Sequence, residues 1–444
     1  MIYAASEAGD LAVPRAPSRY NGRHVKVLVI GGGGREHALC WALRRSPFVD
    51  ELFCAPGNPG IAELADCVPV GAGDIVELAD LAEKLMMDLT VVGPELPLAL
   101  GIADEFAKRD LPIFAPSRLA AQIEASKIFA KEFLRRHGIP TAEAFVCASA
   151  EEARQALEKL SYPAVLKADG LAAGKGVLIV ETKEDADRAL ALFFGDRVFG
   201  SAGDRILVEE FLTGSEATFL AVCDGKTVVP LPTSRDYKKV YEGDRGPNTG
   251  GMGAQSPSGN LDLAASAAVY KDIILPVVTG LAAEGRPFRG ILYAGLILTK
   301  NGPKVLEFNA RLGDPEAEVV LPRMQSDLAA LLVAAGRGEL DRHPPLDVKP
   351  EACVGVVLAS GGYPGAYETG KPIQGWHEAA KLPGVEIFHA GTRRDGDRLV
   401  TAGGRVFVVT ACAPTMTDAA ARAYDAADRI QFDGKHLRRD IGRR

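Results

Sequence analysis

The sequence predicts a multidomain protein of mixed α/β and α+β class. Its 444 residues correspond to three domains at about 150 residues each. Strands alternate with helical patterns over residues 24–120, as is typical of a parallel-sheet α/β domain, and a Pro-rich linker near residue 343 precedes a short α+β stretch. We therefore predict an N-terminal domain over 24–120, a central domain over 121–342 and a small C-terminal domain over 343–444, after a mobile leader over 1–23.

Composition and charge exclude several classes of protein. The net charge of −7 argues against a nucleic-acid-binding surface, because phosphate backbones are held chiefly by clustered Lys and Arg. No apolar run approaches the roughly 18 residues that span a bilayer, and the leader lacks the apolar core of a signal peptide. The 7 cysteines form no C-x-x-C pair, so we expect reduced, mostly buried thiols in a cytoplasmic protein without membrane contacts.

The first predicted strand, residues 24–30, ends in four consecutive glycines before a helix, so a phosphate could sit at the helix N-terminus. A dinucleotide fingerprint needs G-x-G-x-x-G, but Glu36 and His37 stand where the third glycine would be. A tight βα turn without a ligand is the alternative. Further strands are predicted at 51–55, 89–93 and 111–115. The loops after the first two of these lie where open α/β sheets bind ligands.

The central domain contains a glycine-rich segment between two predicted strands, 163–167 and 177–180. A P-loop needs four residues between its glycines, Ser or Thr after its lysine, and a following helix. Here three residues separate Gly170 from Gly174, Gly176 follows Lys175, and a strand comes next. The pattern instead predicts a glycine-rich hairpin whose N–H groups can cover a triphosphate. A purely structural hairpin is the alternative.

Two further stretches indicate ligand contacts. The predicted strand over 206–212 ends in acidic and aromatic residues and could present its backbone to a purine edge, although an ordinary strand and turn would look the same. Residues 233–257 show no periodicity. Loops of that length inside compact domains are usually functional or disordered, and the charges interleaved with glycines favour a functional loop.

The most informative strand is predicted over 304–311. In an extended chain Glu307, Asn309 and Arg311 share one face, while the apolar residues that alternate with them, beginning with Leu306, face the core. A carboxylate and an amide oxygen two residues apart can share a small hard cation such as Mg²⁺, which keeps its other positions for water and phosphate. Arg311 would face those phosphates. A half-buried strand with a solvated polar face is the alternative.

Several long motifs, in this order, resemble one enzyme family. The glycine-rich hairpin, Lys167 before it, Lys127 on an earlier helix and the final Glu-x-Asn strand resemble the ATP-grasp ligases. Within that superfamily the chain is similar to the phosphoribosylamine–glycine ligases over about residues 25–442, through the stretches 32–38, 57–60, 167–177, 246–253 and 311–316.

The resemblance implies an N-terminal α/β domain, an ATP-grasp central domain and a small C-terminal domain. It also implies ATP-dependent, ADP-forming ligation of glycine to 5-phosphoribosylamine through glycyl phosphate, which yields glycinamide ribonucleotide for purine biosynthesis. Mg²⁺, or Mn²⁺ in its place, is the implied metal. A monomer is expected.

The family's site residues carry over motif by motif. The resemblance implies that ATP contacts Lys127, Lys167, Gly174, Lys175, Gly176, Glu209, Glu210, Phe211, Leu212 and Glu216, and that Glu307 and Asn309 hold the metal. Phosphoribosylamine is expected at Gly32, Gly33, Gly34, Arg35, Asn58, Pro59, Gly60, Gly93, Pro94 and Glu95. The glycine side is expected at Asp236, Lys238, Asn248, Thr249, Gly250 and Gly251. Arg311, Lys167 and Asp314 are the candidate catalytic residues, with Arg311 stabilising the transferred phosphoryl group or the glycine carboxylate.

The chain departs from the family pattern at two places. Ala317-Glu318 stands where the family usually has Thr-Gln, and His436-Leu437 replaces an aromatic pair. Three other functions stay open. Another ATP-grasp carboxylate–amine ligase or a purine-pathway carboxylating enzyme would share the central domain. The intact lysines disfavour an inactive nucleotide sensor, and the missing third glycine disfavours a dinucleotide-binding oxidoreductase.

Overall fold

The structure is a computed structural model that describes residues 24–170 and 176–443. The predicted leader over 1–23 lies outside the described residues, as do Gly174 and Lys175 of the glycine-rich segment.

The N-terminal domain is built on a parallel sheet with strand order β3-β2-β1-β4. Its elements are β1 Val25–Gly31, α1 Gly34–Arg44, β2 Val49–Pro56, β3 Asp66–Cys67, α2 Ile75–Leu85, β4 Leu89–Val92, α3 Glu95–Leu100 and α4 Ile102–Lys108. Successive residues of β1 enter different hydrophobic clusters, so the strand is buried on both faces, as expected for a parallel sheet. The strand predicted over 111–115 is wrong. Only a bridge between Val91 and Phe114 forms, because the neighbouring prolines cannot donate to a ladder.

The central domain contains two antiparallel sheets, ordered β5-β8-β6-β7 and β10-β9-β15-β16. Its elements are α5 Gln122–Ala125, α6 Lys127–Arg136, β5 Ala144–Cys147, α7 Ala150–Lys159, β6 Ala164–Ala168, β7 Val177–Val180, α8 Lys183–Leu190, β8 Ile206–Glu210, β9 Ser215–Asp224, β10 Val228–Pro230, β11 Arg235–Asp236, β12 Lys239–Tyr241, β13 Arg245–Asn248, β14 Gly253–Ser256, α9 Leu263–Val269, α10 Leu275–Ala283, β15 Arg289–Thr299, β16 Gly302–Asn309, α11 Ala317–Val320 and α12 Leu328–Arg337. The predicted glycine-rich hairpin is confirmed, since Lys167 on β6 pairs with Val177 on β7.

The C-terminal domain is organised by the sheet β11-β14-β17-β21-β18. Its own elements are β17 Ala352–Ala359, α13 Trp376–Ala380, β18 Val385–His389, β19 Thr392–Asp395, β20 Arg398–Thr401, β21 Arg405–Ala413 and α14 Met416–Arg429. Strands β11 and β14 come from the stretch 233–257, which is therefore ordered into short strands and not a loop without periodicity. The mixed α/β and α+β fold class is confirmed.

Two sequence predictions need correction. Cys353 and Cys412 face each other across β17 and β21 and form a disulfide, so the expectation of reduced thiols is wrong for this pair. Helices α9 and α10 run together through a π-helical turn as one helix, Leu263–Ala283, which is long and apolar enough to cross a membrane by length and composition. We expected no such run. Its inward residues, among them Ile273 and Val277, are fully buried in the core.

Candidate active site

Strand β16 does not keep the predicted alternation. Glu307 pairs with Gly295 and Val305 with Leu296, so an extra residue, Leu306, is inserted as a β-bulge. Val305 and Phe308 are consequently both buried, whereas Leu306 is only half-buried. The prediction that Leu306 faces the core is wrong, because a period of two cannot continue through a bulge.

Lys167, at the end of β6, lies against this bulge. Its Nζ donates to the Leu306 carbonyl at 3.2 Å and pairs with Glu209 Oε2 at 2.8 Å. On the other side of the same carboxylate, Lys131 Nζ lies 3.1 Å from Glu209 Oε1. All three residues are buried, with at most 9% of each exposed. The Glu209 side chain is therefore committed to two lysines, and only its backbone is left for the predicted contact with adenine.

Sequence reasoning missed Lys131. It follows Lys127 by four residues on α6, so the two side chains lie on one face of the helix. That spacing was the available signal. Lys131 also donates to Thr141 Oγ1 at 2.7 Å, and burial outweighs Glu209 to lower the pKa of Lys131 to about 8.

Lys127 lies under the glycine-rich hairpin. Its Nζ donates to the Gly170 carbonyl at 3.0 Å, and Ser126, the N-cap of α6, donates to Asp169 Oδ1 at 2.9 Å. On the other strand, the Gly176 carbonyl accepts from Ala168 at 2.8 Å and closes the hairpin. The described part of this motif therefore brings Lys127 and Lys167 to one place, as predicted.

Glu307 lies among three lysines. Lys238 Nζ is 3.2 Å from Glu307 Oε1 and 3.6 Å from Glu216 Oε2. Lys238, followed by Lys167 and Lys127, lowers the pKa of Glu307 to about 2 against the opposing effect of burial. Three cations surround one carboxylate, so this site has a positive charge to offer a polyphosphate.

Asn309 completes the polar end of β16. With its amide oriented to satisfy its hydrogen bonds, the nitrogen donates to Phe308 O and to Glu124 Oε1 at 3.0 Å, and the oxygen points to the opposite side. Within the described ranges, no group of three or more His, Cys, Asp or Glu side chains is arranged to hold a metal. Glu307 and Asn309 supply one carboxylate and one amide oxygen two residues apart on β16, which are donor types that hard cations accept beside phosphate and water.

A buried acidic group lies beside Lys238. Burial, with help from Glu316 and Glu216, raises the pKa of Asp236 to about 8, although Lys238 opposes this effect. Burial also raises the pKa of Glu316, whose Oε1 is 3.5 Å from the Thr218 hydroxyl. Asp236 is therefore largely protonated at neutral pH, and the raised pKa of Glu316 also favours its neutral form, which reduces the negative charge that an incoming anion meets.

The acid-rich segment 209–212, which we call the hinge, spans the end of β8. Glu210 Oε1 accepts from Lys304 Nζ at 3.0 Å and from the Glu143 amide at 3.0 Å. Phe211 is exposed and Leu212 is half-buried. The hinge therefore leaves apolar side chains, not the Glu210 carboxylate, open to a ligand.

A second charged cluster lies at the carboxyl end of the N-terminal sheet. Arg311 is 3.1 Å from Glu124 Oε1 and 3.5 Å from Glu95 Oε2. Buried Arg35 donates to Glu36 Oε1 at 2.6 Å and to the Leu312 carbonyl at 3.3 Å. Burial favours neutral Glu95, but Arg311 and Arg35 outweigh it and lower the Glu95 pKa. Arg311 therefore links β16 to the predicted phosphoribosylamine loops.

Those loops are tightly packed. Asn58 donates to Gly32 O at 3.0 Å and to His389 O at 2.8 Å, and its Oδ1 accepts from the Gly60 amide at 2.9 Å. Its side chain is thus used to join the N- and C-terminal domains, which leaves backbone groups for a ligand. A Cβ at Gly93 would lie 2.0 Å from Glu36 Oε1, so only glycine fits there.

The C-terminal domain supplies a cation that sequence reasoning also missed. Arg405 Nη1 lies 3.0 Å from Asp314 Oδ1 and donates to the Gly250 carbonyl at 2.7 Å. Tyr363 accepts from the Gly250 amide at 2.9 Å. Arg405 is 91 residues from Asp314 in sequence, and no local pattern indicates the contact. It ties the glycine-rich stretch 248–251 to the Asp314 turn.

Glu318, the departure from the family pattern, is completely buried. Neither carboxyl oxygen has a hydrogen-bond partner, and Oε1 would lie 2.5 Å from a Cβ at Gly34, the first residue of α1. Burial and then Asp314 raise the pKa of Glu318 well above its usual value. The group is therefore a neutral acid packed behind the first glycine-rich turn.

Comparisons with known proteins match most of the chain. Models of the phosphoribosylglycinamide synthetases match residues 25–124 as the N domain, 125–317 as the ATP-grasp (A) domain and 353–444 as the C domain. The phosphoribosylamine–glycine ligase of Allochromatium vinosum is 48% identical over 424 residues, 95% of this chain and 98% of that protein. The crystal structure of phosphoribosylamine–glycine ligase from Thermotoga maritima is 35% identical with a TM-score of 0.82, over 94% of this chain and 100% of that one.

A more distant structure shares the fold alone. N5-carboxyaminoimidazole ribonucleotide synthetase from Thermotoga maritima is 18% identical with a TM-score of 0.63, over 92% of this chain and 99% of that one.

We predict that Glu318→Gln flattens the dependence of stability on pH. Folding raises the pKa of Glu318, so protonation of Glu318 favours the folded state. This contribution to the free energy of unfolding is complete below the unfolded pKa and is lost as pH rises through the raised folded pKa. Above that pH the variant should be the more stable protein, by about 1.4 kcal/mol for each unit by which folding raises the pKa. Urea unfolding from pH 5 to 9 measures this difference. Exposed Glu158→Gln is the control, and parallel curves for wild type and Glu318→Gln would contradict the neutral-acid assignment.

Proposed function

Because this chain belongs to the phosphoribosylglycinamide synthetase family, we propose that its two charged clusters divide one ligation between them. The reaction is the ATP-dependent, ADP-forming ligation of glycine to phosphoribosylamine in purine biosynthesis, and the family uses a divalent metal. In the proposal, Lys127 and Lys167 with Glu307 receive the triphosphate, and Lys238, which the sequence analysis assigned to the glycine side, joins them because its Nζ lies 3.2 Å from Glu307. Arg35, Glu95 and Arg311 face phosphoribosylamine. The observation that supports this division is that three lysines surround Glu307 and keep its carboxylate ionised.

Nucleotide binding follows from charge and shape. ATP brings several negative charges, which the three lysines balance, and the paired strands β6 and β7 flank the glycine-rich segment to which we assign the contacts with phosphate. The backbone of 209–212 would hold adenine, since the Glu209 side chain is occupied by Lys131 and Lys167. Glu216, 3.6 Å from Lys238, is placed for the ribose hydroxyls at the edge of the same cluster.

We assign the metal position to Glu307 and Asn309, with Mg²⁺ as the preferred ion and Mn²⁺ as a substitute. Two oxygen ligands from one strand leave the remaining octahedral positions for phosphate and water, which suits Mg²⁺. Bound there, the ion would neutralise phosphate charge as in other phosphoryl transfers.

The chemistry divides into two displacements. A glycine carboxylate oxygen attacks the γ-phosphorus and the bond to the bridging oxygen breaks, giving glycyl phosphate and ADP. The amine nitrogen of phosphoribosylamine then attacks the glycyl carbonyl carbon, loses a proton and displaces inorganic phosphate. Side chains of this site position the reactants and balance charge, while the segments 170–176 and 248–251 exclude water that would hydrolyse the acyl phosphate.

Arg311 lies between the two charged clusters that the proposal assigns to the two substrates. It lies two residues beyond Asn309, where β16 ends, and its guanidinium is held by Glu95 and Glu124. We propose that it orients the glycine carboxylate or the transferred phosphoryl group, with Asp314 and Arg405 fixing the turn beyond it. The proposal further includes a cytoplasmic monomer that acts without nucleic acid or membrane, as the net charge of −7 and the cysteine pattern predict.

We predict that glycine labelled with ¹⁸O in its carboxylate passes one label into inorganic phosphate during turnover. The reason is that the carboxylate oxygen that attacks phosphorus leaves with phosphate in the second step. Mass spectrometry of the released phosphate measures it, and unlabelled glycine in ¹⁸O water is the control. Appearance of the expelled label in water or AMP and not in phosphate, or release of AMP and pyrophosphate, would exclude glycyl phosphate.

We predict that Glu307→Gln lowers the turnover rate about 100-fold, or about 3 kcal/mol, and weakens the Mg²⁺ dependence. The amide keeps the shape of the side chain but removes the charge that balances the cation. Steady-state rates across a Mg²⁺ titration measure both effects, with thermal melting to establish that the variant is folded. Glu318→Gln should change the rate little. Unchanged turnover and Mg²⁺ dependence in folded Glu307→Gln would remove the metal assignment.

A further inference from the structure

Residues 436–442 form hydrogen bonds with the segment 237–244, which contains Lys238. Arg438 is completely buried, and its Nη1 donates to the Lys239 carbonyl at 2.9 Å. Its Nη2 donates to Asp244 Oδ1 at 2.8 Å, and Nε donates to Asp440 Oδ1 at 2.9 Å. Arg438 therefore reaches strand β12 and the turn of the β12–β13 hairpin from the C-terminal segment.

Neighbouring residues of the C-terminal segment repeat this attachment. His436 Nε2 lies 2.9 Å from the Val240 carbonyl, and Asp440 Oδ2 accepts from the Gly243 amide at 2.9 Å. The Arg439 amide donates to Glu242 Oε1 at 3.0 Å. Residues 240–243 are thus held at successive positions by a segment almost 200 residues later in sequence.

The residue before Lys238 is fixed in the same way. Tyr237 is 2% exposed, and its ring lies beneath the Arg438 guanidinium, 5.2 Å from ring centre to carbon. Its hydroxyl donates to Gln255 Oε1 at 2.6 Å and accepts from the Gly442 amide at 3.3 Å. The Lys238 carbonyl itself accepts from Thr249 Oγ1 at 2.8 Å. The backbone is therefore fixed by hydrogen bonds on both sides of Lys238.

A role confined to folding of the C-terminal domain does not account for these contacts. Two of the acceptors of Arg438, Lys239 O and Asp244, belong to the hairpin beside the active site. A buried guanidinium is costly unless every donor is paired. Here the pairing is completed only when the hairpin is in place, so the arginine and the hairpin adopt their positions together.

We propose that Arg438 is a positioning residue that holds Lys238 within reach of Glu307 and of the reacting anions. The proposal deepens the assignment of Lys238 made above and rests on it. Lys238 Nζ is 3.2 Å from Glu307 through a flexible side chain, so a shift of the backbone at Lys239 moves the charge from its place. Small displacements at a site that works by positioning have large effects on rate.

The test is a double-mutant cycle between Arg438→Gln and Lys238→Met. Arg438→Gln should lower kcat about 10- to 100-fold, with little change in the KM for ATP, because Lys127 and Lys167 remain in place. In the Lys238→Met background, Arg438→Gln should cause no further loss, since the charge that it positions is already absent. Arg439→Gln is the matched control, because the Arg439 side chain pairs with Asp428 inside the C-terminal domain at 2.6 Å.

A second variant covers the case in which Arg438→Gln does not fold. Asp244→Asn removes only the hairpin carboxylate, which is half exposed, and should lower kcat in the same direction without loss of the folded state. Normal kcat in folded Arg438→Gln or in Asp244→Asn would overturn the proposal, as would equal losses in both backgrounds. Normal activity of Lys238→Met would instead overturn the role of Lys238 itself, which separates the two failures.

Discussion

Repulsion between like charges is the constraint on which this active site depends. Lys127, Lys131, Lys167 and Lys238 converge in a space that is largely closed to water, where their charges interact strongly. Glu209 and Glu307 make the arrangement possible, each by lying between lysines from different elements. The two carboxylates differ in exposure. Glu209 is enclosed and serves as a permanent counter-ion, whereas Glu307 is half open and can exchange its lysine contacts for a ligand.

Strand β16 connects the two halves of the reaction. Its Glu307 belongs to the lysine cluster, and Arg311 just beyond it belongs to the cluster at the N-terminal sheet. The β-bulge at Leu306 lets the strand bury Val305 and Phe308 while presenting a backbone carbonyl to Lys167. A regular strand would have given up either the core contact or the lysine contact. The irregularity is thus part of how one strand serves both substrates.

Much of this site was predictable from local sequence, because its parts lie in short motifs with specific chemistry. The sequence correctly predicted three kinds of element: the strands on either side of 170–176, the helix and strand that bear Lys127 and Lys167, and the strand that bears Glu307 and Asn309. Failures came where the determining contact is distant. The bulge depends on pairing with β15, and Glu209 is fixed by two lysines from other elements. Arg405 and Arg438 act from the C-terminal domain, where nothing in their neighbouring residues indicates a partner in the central domain.

The shared sheet of the C-terminal domain has a consequence for synthesis. Strand β14 pairs with β17, whose first partner residue follows about 100 residues later in the chain. A nascent polypeptide leaves the ribosome from its N-terminus, so β11 and β14 emerge well before the strand that completes their ladder. During that interval the edge of β14 that pairs with β17 has no partner strand. Folding of the C-terminal domain therefore also completes the pairing of β11 and β14, which come from the central part of the chain. The enzyme reaches its native fold only after the strands that follow β14 have been synthesised.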